Sequence, residues 1–207
     1  MNIAVLAANG RTGKKFVEQA LANGHTVRAG VYGGNDLAPH TNLHIMQCDA
    51  TNEAQVAALL HGQDAVVSFI GHVKNSPPSV QTDAMRTLAV IMAQLKIRRV
   101  ISLTGTGVRF AGDKVTLVDR LLNMAVSVID PARVKDGRNH AEILKKSDLD
   151  WTIIRVLKLQ NVAPKPFKLT PHGPTKWYVG REEVSRAVLQ VLEENSFVLQ
   201  APIISKP

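Results

Sequence analysis

The 207-residue chain holds a single cysteine, Cys48, which excludes an intrachain disulfide. With no Cys-x-x-Cys pair, it also lacks the usual zinc and dithiol redox motifs. Aromatics are sparse. Two Trp, two Tyr and five Phe leave little for a base-stacking platform of the kind that binds single-stranded nucleic acid. No run approaches the roughly 18 apolar residues needed to span a bilayer. The opening Met1-Asn2-Ile3 lacks the basic segment of a secretory signal, so a cytoplasmic location and no membrane partner are expected. The seven histidines stand singly, without the paired spacing of a metal site, and no metal is expected. Acids are in deficit, with 17 Asp and Glu against 25 Lys and Arg, a formal charge of +8. The excess is dispersed through Lys14-Lys15, Arg98-Arg99, Lys145-Lys146 and Lys165 to Lys168. That dispersal indicates a solvated surface and an anionic ligand, and argues against a nucleic-acid partner.

What is present begins with Val5-Leu-Ala-Ala-Asn-Gly-Arg-Thr-Gly-Lys14, preceded by apolar Ile3-Ala4-Val5-Leu6 and followed by Phe16, Val17, Ala20 and Leu21 at helical spacing. Strand, glycine turn and helix follow in that order. In such a unit Gly10 and Gly13 admit a pyrophosphate to the backbone, and the helix amides and dipole hold the anion. A dinucleotide is therefore the first ligand to consider. Alanine stands at position 7, where the first glycine of G-x-x-G-x-x-G is expected. By itself the pair of glycines is equally a tight strand-to-helix turn.

The rest of the chain repeats the alternation of strands and helices. Strands are expected at Thr26–Tyr32, Leu43–Cys48, Asp64–Gly71, Val100–Leu103 and Trp151–Val156, with a last extended run from Phe197. Helices are expected at Asn52–Leu60, Thr82–Leu95, Gly137–Lys146 and Glu182–Leu192. Strands that are mostly apolar throughout, alternating with helices, predict an α/β fold. The expected form is a single Rossmann-type, doubly wound parallel sheet with helices on both faces. Between Gly105 and Lys135 the rhythm breaks around one helical pattern, Leu117, Leu121, Leu122, Ala125 and Val128. Four prolines make 162–174 an irregular loop. Both segments are expected over the carboxyl edge of the sheet, as substrate-side loops or a lid, because ligands of open α/β sheets bind there.

With these elements placed, five separated stretches carry a family resemblance: Ala8-Asn-Gly-Arg-Thr-Gly13, Cys48-Asp-Ala-Thr51, Asp64-Ala-Val-Val-Ser-Phe-Ile-Gly71, Leu149-Asp-Trp-Thr-Ile-Ile-Arg155 and Val179-Gly-Arg-Glu-Glu-Val184. In this order the chain resembles the atypical short-chain dehydrogenase/reductase group, which includes NmrA-like proteins and biliverdin-IXβ/flavin reductase. The resemblance implies a cofactor site built from Gly10, Arg11, Thr12, Gly13, Tyr32, Asp49, Ala50, Ile70, Gly71, Thr104 and Arg138. Asp49 is suited to the adenine amino group, or is simply a turn aspartate. Phe69 and Ile70 could wall the cofactor, and Phe69 is equally a core residue. Thr104 corresponds to the hydroxyl residue near the nicotinamide, with Thr106 a second catalytic candidate; either is also an ordinary strand residue.

Two departures shape the chemistry. The family's Tyr-x-x-x-Lys acid/base motif is absent, since Asp36 lies four residues after Tyr32 and Glu182 four after Tyr178. Matching the helix around Glu142 places Val134 and Arg138 at the tyrosine and lysine positions. Arginine stays protonated, so it can bind a ribose but cannot relay a proton. Reduction of a planar, electron-poor acceptor demands less, because the nicotinamide supplies the hydride and the site stacks and orients two flat groups. Flavin, quinone and linear tetrapyrrole are such acceptors. Counting 20 residues from Gly13 reaches Gly33 and no acid for a ribose diol, while Arg11 sits within reach of a 2′-phosphate. NADP is expected, with NAD the alternative. The function expected is an NAD(P)H-dependent reductase. The alternative is a non-catalytic NADP(H) sensor of NmrA type acting on a protein partner.

Overall fold

In the computed structural model, which describes residues 1–207, the strands β1 (Asn2–Leu6), β2 (Thr26–Val31), β3 (Leu43–Gln47), β4 (Ala65–Ser68), β5 (Arg99–Gly105) and β6 (Asp150–Val156) form the main sheet. Two short strands, β7 (Leu159–Gln160) and β9 (Val179–Gly180), pair apart from it, whereas β8 (Lys168–Thr170) and β10 (Ile203–Ser205) extend it. The order is β3-β2-β1-β4-β5-β6-β10-β8. All neighbours are parallel except the edge pair β10 and β8. The chain winds outward in one direction through β1, β2 and β3, then returns to β4 on the other side of β1. This reversal between β1 and β4 opens a crevice at the strands' carboxyl ends.

Side-chain alternation along β1 explains the layering. Ile3 and Val5 join a core shared with Phe16, Val17 and Ala20 of α1 (Arg11–Ala22) and Val184, Val188 and Val191 of α6 (Arg181–Glu193). Ala4 and Leu6 point the other way, to a second core. Its helices are α2 (Glu53–Leu60), α3 (Val80–Gln94) and α5 (Pro131–Lys145). A strand covered on both faces has no polar side, which is why these strands read as unbroken apolar runs.

Several boundaries differ from the sequence expectation. The fourth strand ends at Ser68, three residues before Gly71, because the chain turns away to reach α3. The loop 162–174 contains β8, whose Leu169 pairs with Ile204. Two helices, not one, occupy the segment after β5: α4 (Leu117–Ile129), and then α5, which begins at Pro131 instead of Gly137. Asp130 caps α5 by accepting from the Arg133 amide, with Pro131 in the first turn where its missing N–H costs nothing. Gly137 is therefore a mid-helix glycine. A Cβ there would come within 2.8 Å of Thr104 Oγ1, so the glycine lets α5 lie close on β5.

Candidate functional site

The turn between β1 and α1 has the features of an anion cradle. Ala7 adopts a left-handed φ of 54°, the conformation a glycine would supply at that position. The first helical hydrogen bond runs from the Lys14 amide to the Gly10 carbonyl. The amides of Arg11, Thr12 and Gly13 thus have no backbone acceptor, and no side chain or first-turn acid caps them. Such donors at a positive helix end favour a phosphate. Arg11 is exposed beside them. Arg181, at the start of α6, lies close enough that burial, with the Arg11 charge, lowers its proton affinity. Sequence reasoning missed Arg181, although it stands in the family-like Val179–Val184 stretch. Two neighbouring guanidinium groups and three free amides make this corner a fit for a pyrophosphate.

Gly13 has a packing role beside its free amide. A Cβ there would sit 2.3 Å from the Ala7 carbonyl oxygen and 2.9 Å from the Ala8 backbone, inside the turn. Its role is to pack helix against strand, so a larger residue would break the fold before it touched a ligand.

Beside this cradle, Asn9 ties the β1–α1 turn to the end of β2 by donating to the Tyr32 and Gly34 carbonyls at 3.0 and 2.6 Å. The Tyr32 ring is 73% exposed. Lys14 pairs with Asp36, the first acid after β2, and that hydrogen bond lowers the Asp36 carboxyl below its ordinary value. Asp49 receives the Thr51 amide and hydroxyl on Oδ1, at 2.9 and 2.7 Å, and so closes a turn. Ala50 packs half-buried against the second core. Phe69 stacks at a tilt on Phe16, 5.3 Å between centroids, as a core residue.

At the ends of β4 and β5 a polar cluster forms that the sequence did not disclose. The Gln81 side-chain Nε2 donates to the Ile70 and Leu103 carbonyls, at 2.9 and 3.2 Å, and joins the two strand ends. Asp136 of α5 accepts from the Gln81 and Thr82 amides, both at 2.9 Å, from the Thr82 hydroxyl, and from His72 Nε2 at 2.8 Å. It caps α3 from a neighbouring helix. Burial pushes the Asp136 carboxyl up, but these donors together outweigh it and hold the group below its ordinary value. The charged carboxylate in turn fixes the proton of His72 on Nε2. Thr104, 7% exposed, lies beside this cluster against Gly137. A Cβ at Gly71 would meet nothing within 4 Å, so this strand end is open.

Two candidates fall outside this group. Thr106 is fully buried and its hydroxyl is engaged, donating to Asp119 at 2.7 Å and accepting from Asn123 at 3.0 Å. It anchors α4 and does not face a ligand. Arg138 is exposed on α5 and pairs with no carboxylate, whereas half-buried Val134 lies near Gly107 and Asn123. Behind the site, Arg155 is wholly buried. It reaches the carbonyls of Ala201, Val108 and Pro171 at 2.7, 3.1 and 3.2 Å, forms a two-pronged pair with Asp113, and stacks on Phe110. Burial raises the Asp113 carboxyl, yet the Arg155 hydrogen bond and the Phe110 amide reverse this and leave it lowered. This guanidinium straps the 105–135 and 162–174 segments to the sheet.

Fold and site together define a nicotinamide-dinucleotide-binding Rossmann protein. The NAD(P)H-binding family model matches residues 7–195, and the chain belongs to that family. No curated protein matches its sequence. Among solved structures it is similar to a short-chain dehydrogenase/reductase from Veillonella parvula in complex with NADP, with a TM-score of 0.83 and 20% identity over 100% of this chain and 94% of that one. It is similar also to a candidate NADH-flavin reductase from Streptococcus pneumoniae, with a TM-score of 0.81 and 20% identity over the whole of both chains. An oxidoreductase from Lactococcus lactis shares the fold at a TM-score of 0.82 and 16% identity, over 100% of this chain and 91% of that one.

Proposed function

We propose that the protein is an NADPH-dependent reductase of the atypical short-chain dehydrogenase/reductase group, which reduces a planar, electron-poor acceptor such as a flavin, quinone or linear tetrapyrrole. The observation that carries this reading is the occupancy of the acid/base positions. Val134 stands where a tyrosine would act, and Arg138, exposed and always charged, stands where a lysine would. Alcohol oxidation through a tyrosinate has no residue to perform it. A two-electron reduction of a flat acceptor consumes NADPH and a proton and yields NADP+ and the reduced acceptor; the proton comes from solvent.

The nicotinamide, when bound, supplies the hydride, and the chain's own groups supply position. The Arg11, Thr12 and Gly13 amides, with the Arg11 and Arg181 guanidinium groups, take the pyrophosphate. Arg11 also serves a 2′-phosphate, and Lys14 keeps the Asp36 carboxylate neutralised beside it. Ile70, Gly71 and Thr104 line the ring end, which Gln81 and Asp136 hold in register. The V. parvula structure in complex with NADP supports the choice of dinucleotide by similarity of fold. The test is an NADPH-oxidation screen against FMN, FAD and quinones, with NADH in parallel. Turnover with such an acceptor is expected. Tight NADPH binding without turnover on any of them would favour the sensor reading instead.

A further inference from the structure

Helix α4 is amphipathic and faces the wrong way for a helix that packs on a core. Its inward side is polar: Asp119, 1% exposed, accepts from Thr106 and pairs with Arg109, and Asn123 donates to Thr106 and Asp119. Its outward side is the apolar stripe Leu117, Leu121, Met124 and Val128, spaced three and four residues apart and 58–77% exposed. Val118 and Ile129 widen the stripe. The helix packs chiefly on α5 and stands out from the body as a ridge.

The surrounding charge is of one sign. The carboxylates of the segment are all engaged: Asp113 by Arg155, Asp119 by Arg109, Asp130 by Arg133 and Asp136 by the α3 amides. Lys114 and Arg120, and Lys135 and Arg138 on the adjoining α5, are exposed and pair with no carboxylate.

We propose that α4 is a docking helix that lies flat in the interface of an anionic lipid bilayer, its apolar stripe among the acyl chains and the flanking cations on the headgroup phosphates. An exposed apolar face with basic flanks is what interfacial binding requires, and a bilayer accepts a convex ridge without a matching groove. This departs from the expectation of no membrane partner, which rested on the lack of a spanning segment and does not bear on a helix that lies in the surface. A second copy fits less well. The stripe amounts to roughly 400 Å², at about 100 Å² for each fully exposed aliphatic side chain, close to the apolar share of one partner's ~800 Å² in a stable interface, so the charge decides. Pairing two such faces would oppose like charges.

The experiment is co-sedimentation of the full chain with vesicles of phosphatidylcholine alone and of phosphatidylcholine mixed with phosphatidylglycerol, at low and high salt. Binding is expected to the mixed vesicles, weakened by salt and by Lys114→Ala with Arg120→Ala, and lost in Leu121→Glu with Val128→Glu. These side chains are exposed, so the variants are expected to keep the fold by circular dichroism and to keep binding NADPH. No binding to either vesicle at low salt would overturn the proposal. Equal binding to both would overturn its anionic part. A concentration-dependent dimer in sedimentation, abolished by Leu121→Glu and without vesicle binding, would assign the face to a second copy.

Discussion

Arg11 occupies the first position of α1, after a Gly10 with φ −71° and ψ 160°, and that geometry permits a test of the cradle one amide at a time. An extended residue before it and a first-turn position suit proline. Arg11→Pro deletes the side chain and one N–H, while Arg11→Ala deletes the side chain alone. If the amides hold a phosphate, the proline variant should bind NADPH about 10-fold to 100-fold more weakly than the alanine variant, the value of one hydrogen bond to a charged group. Equal affinities by calorimetry would remove the amide from the site. Thr104→Val should lose about tenfold or less of the reductase rate, since one neutral hydrogen bond is worth ~0.5–1.5 kcal/mol. A loss beyond a thousandfold there, or in His72→Gln, with cofactor binding intact, would reveal a dedicated proton donor. At this scale the sequence located what backbone geometry sets, the strand-to-helix turn with Gly10 as N-cap and Arg11 opening α1. It was misleading where burial sets the role: the neighbouring hydroxyls of Thr104 and Thr106 look alike in sequence, yet the Thr106 hydroxyl is spent on Asp119 and Asn123.

Among the elements, the joint between α3 and α5 depends most on one group. Asp136 satisfies two first-turn amides of α3 that Ser79, its own N-cap residue, leaves without a side-chain partner. Asp136→Asn should cost about 1–3 kcal/mol of stability at neutral pH. The carboxyl is lowered in the folded state, so its contribution is present above the ordinary value of 3.8 and is lost as the pH falls through the lower folded one. Denaturation of wild type and variant should therefore converge in acid; a constant difference would locate the effect elsewhere. The strands β1, β2, β4, β5 and β6 and helices α1, α2, α3 and α6 were legible because burial on a sheet writes itself as apolar periodicity. The start of α5 was not, because Gly137 has the chemistry of a helix stop and is used for close packing on Thr104. Helix α4 was legible as a helix but not in its orientation: periodicity tells that one face is apolar, not which way it turns.

Over the whole molecule, a buried imidazole couples stability to pH. His140, bonded through Nε2 to Ser102 Oγ at 3.0 Å and with Nδ1 unpartnered, is pushed down to about 4 by burial, against the opposing pull of Asp136. The unfolded chain protonates this residue near 6.5 and the native one does not. Its contribution is therefore complete above 6.5 and declines as the pH falls toward 4. Urea unfolding should show His140→Gln with a shallower loss than wild type across that window, by up to ~3 kcal/mol at its lower end. Parallel curves would refute the assignment. The doubly wound parallel sheet was expected from the alternation of elements and right-handed crossovers, whereas the antiparallel β8 was hidden in a proline-rich stretch. The buried Arg155 also sets a schedule. Its acceptors include Ala201, and its amide bonds to the Pro202 carbonyl, just before β10 and far along the chain from the phosphate turn. During synthesis the amino-terminal half, with its phosphate turn, can fold early. The strap on the 105–135 and 162–174 segments cannot be completed until the stretch before β10 has left the ribosome. A chain cut between β6 and β10 would thus keep the phosphate turn while the 105–135 and 162–174 segments lose the guanidinium that ties them to the sheet.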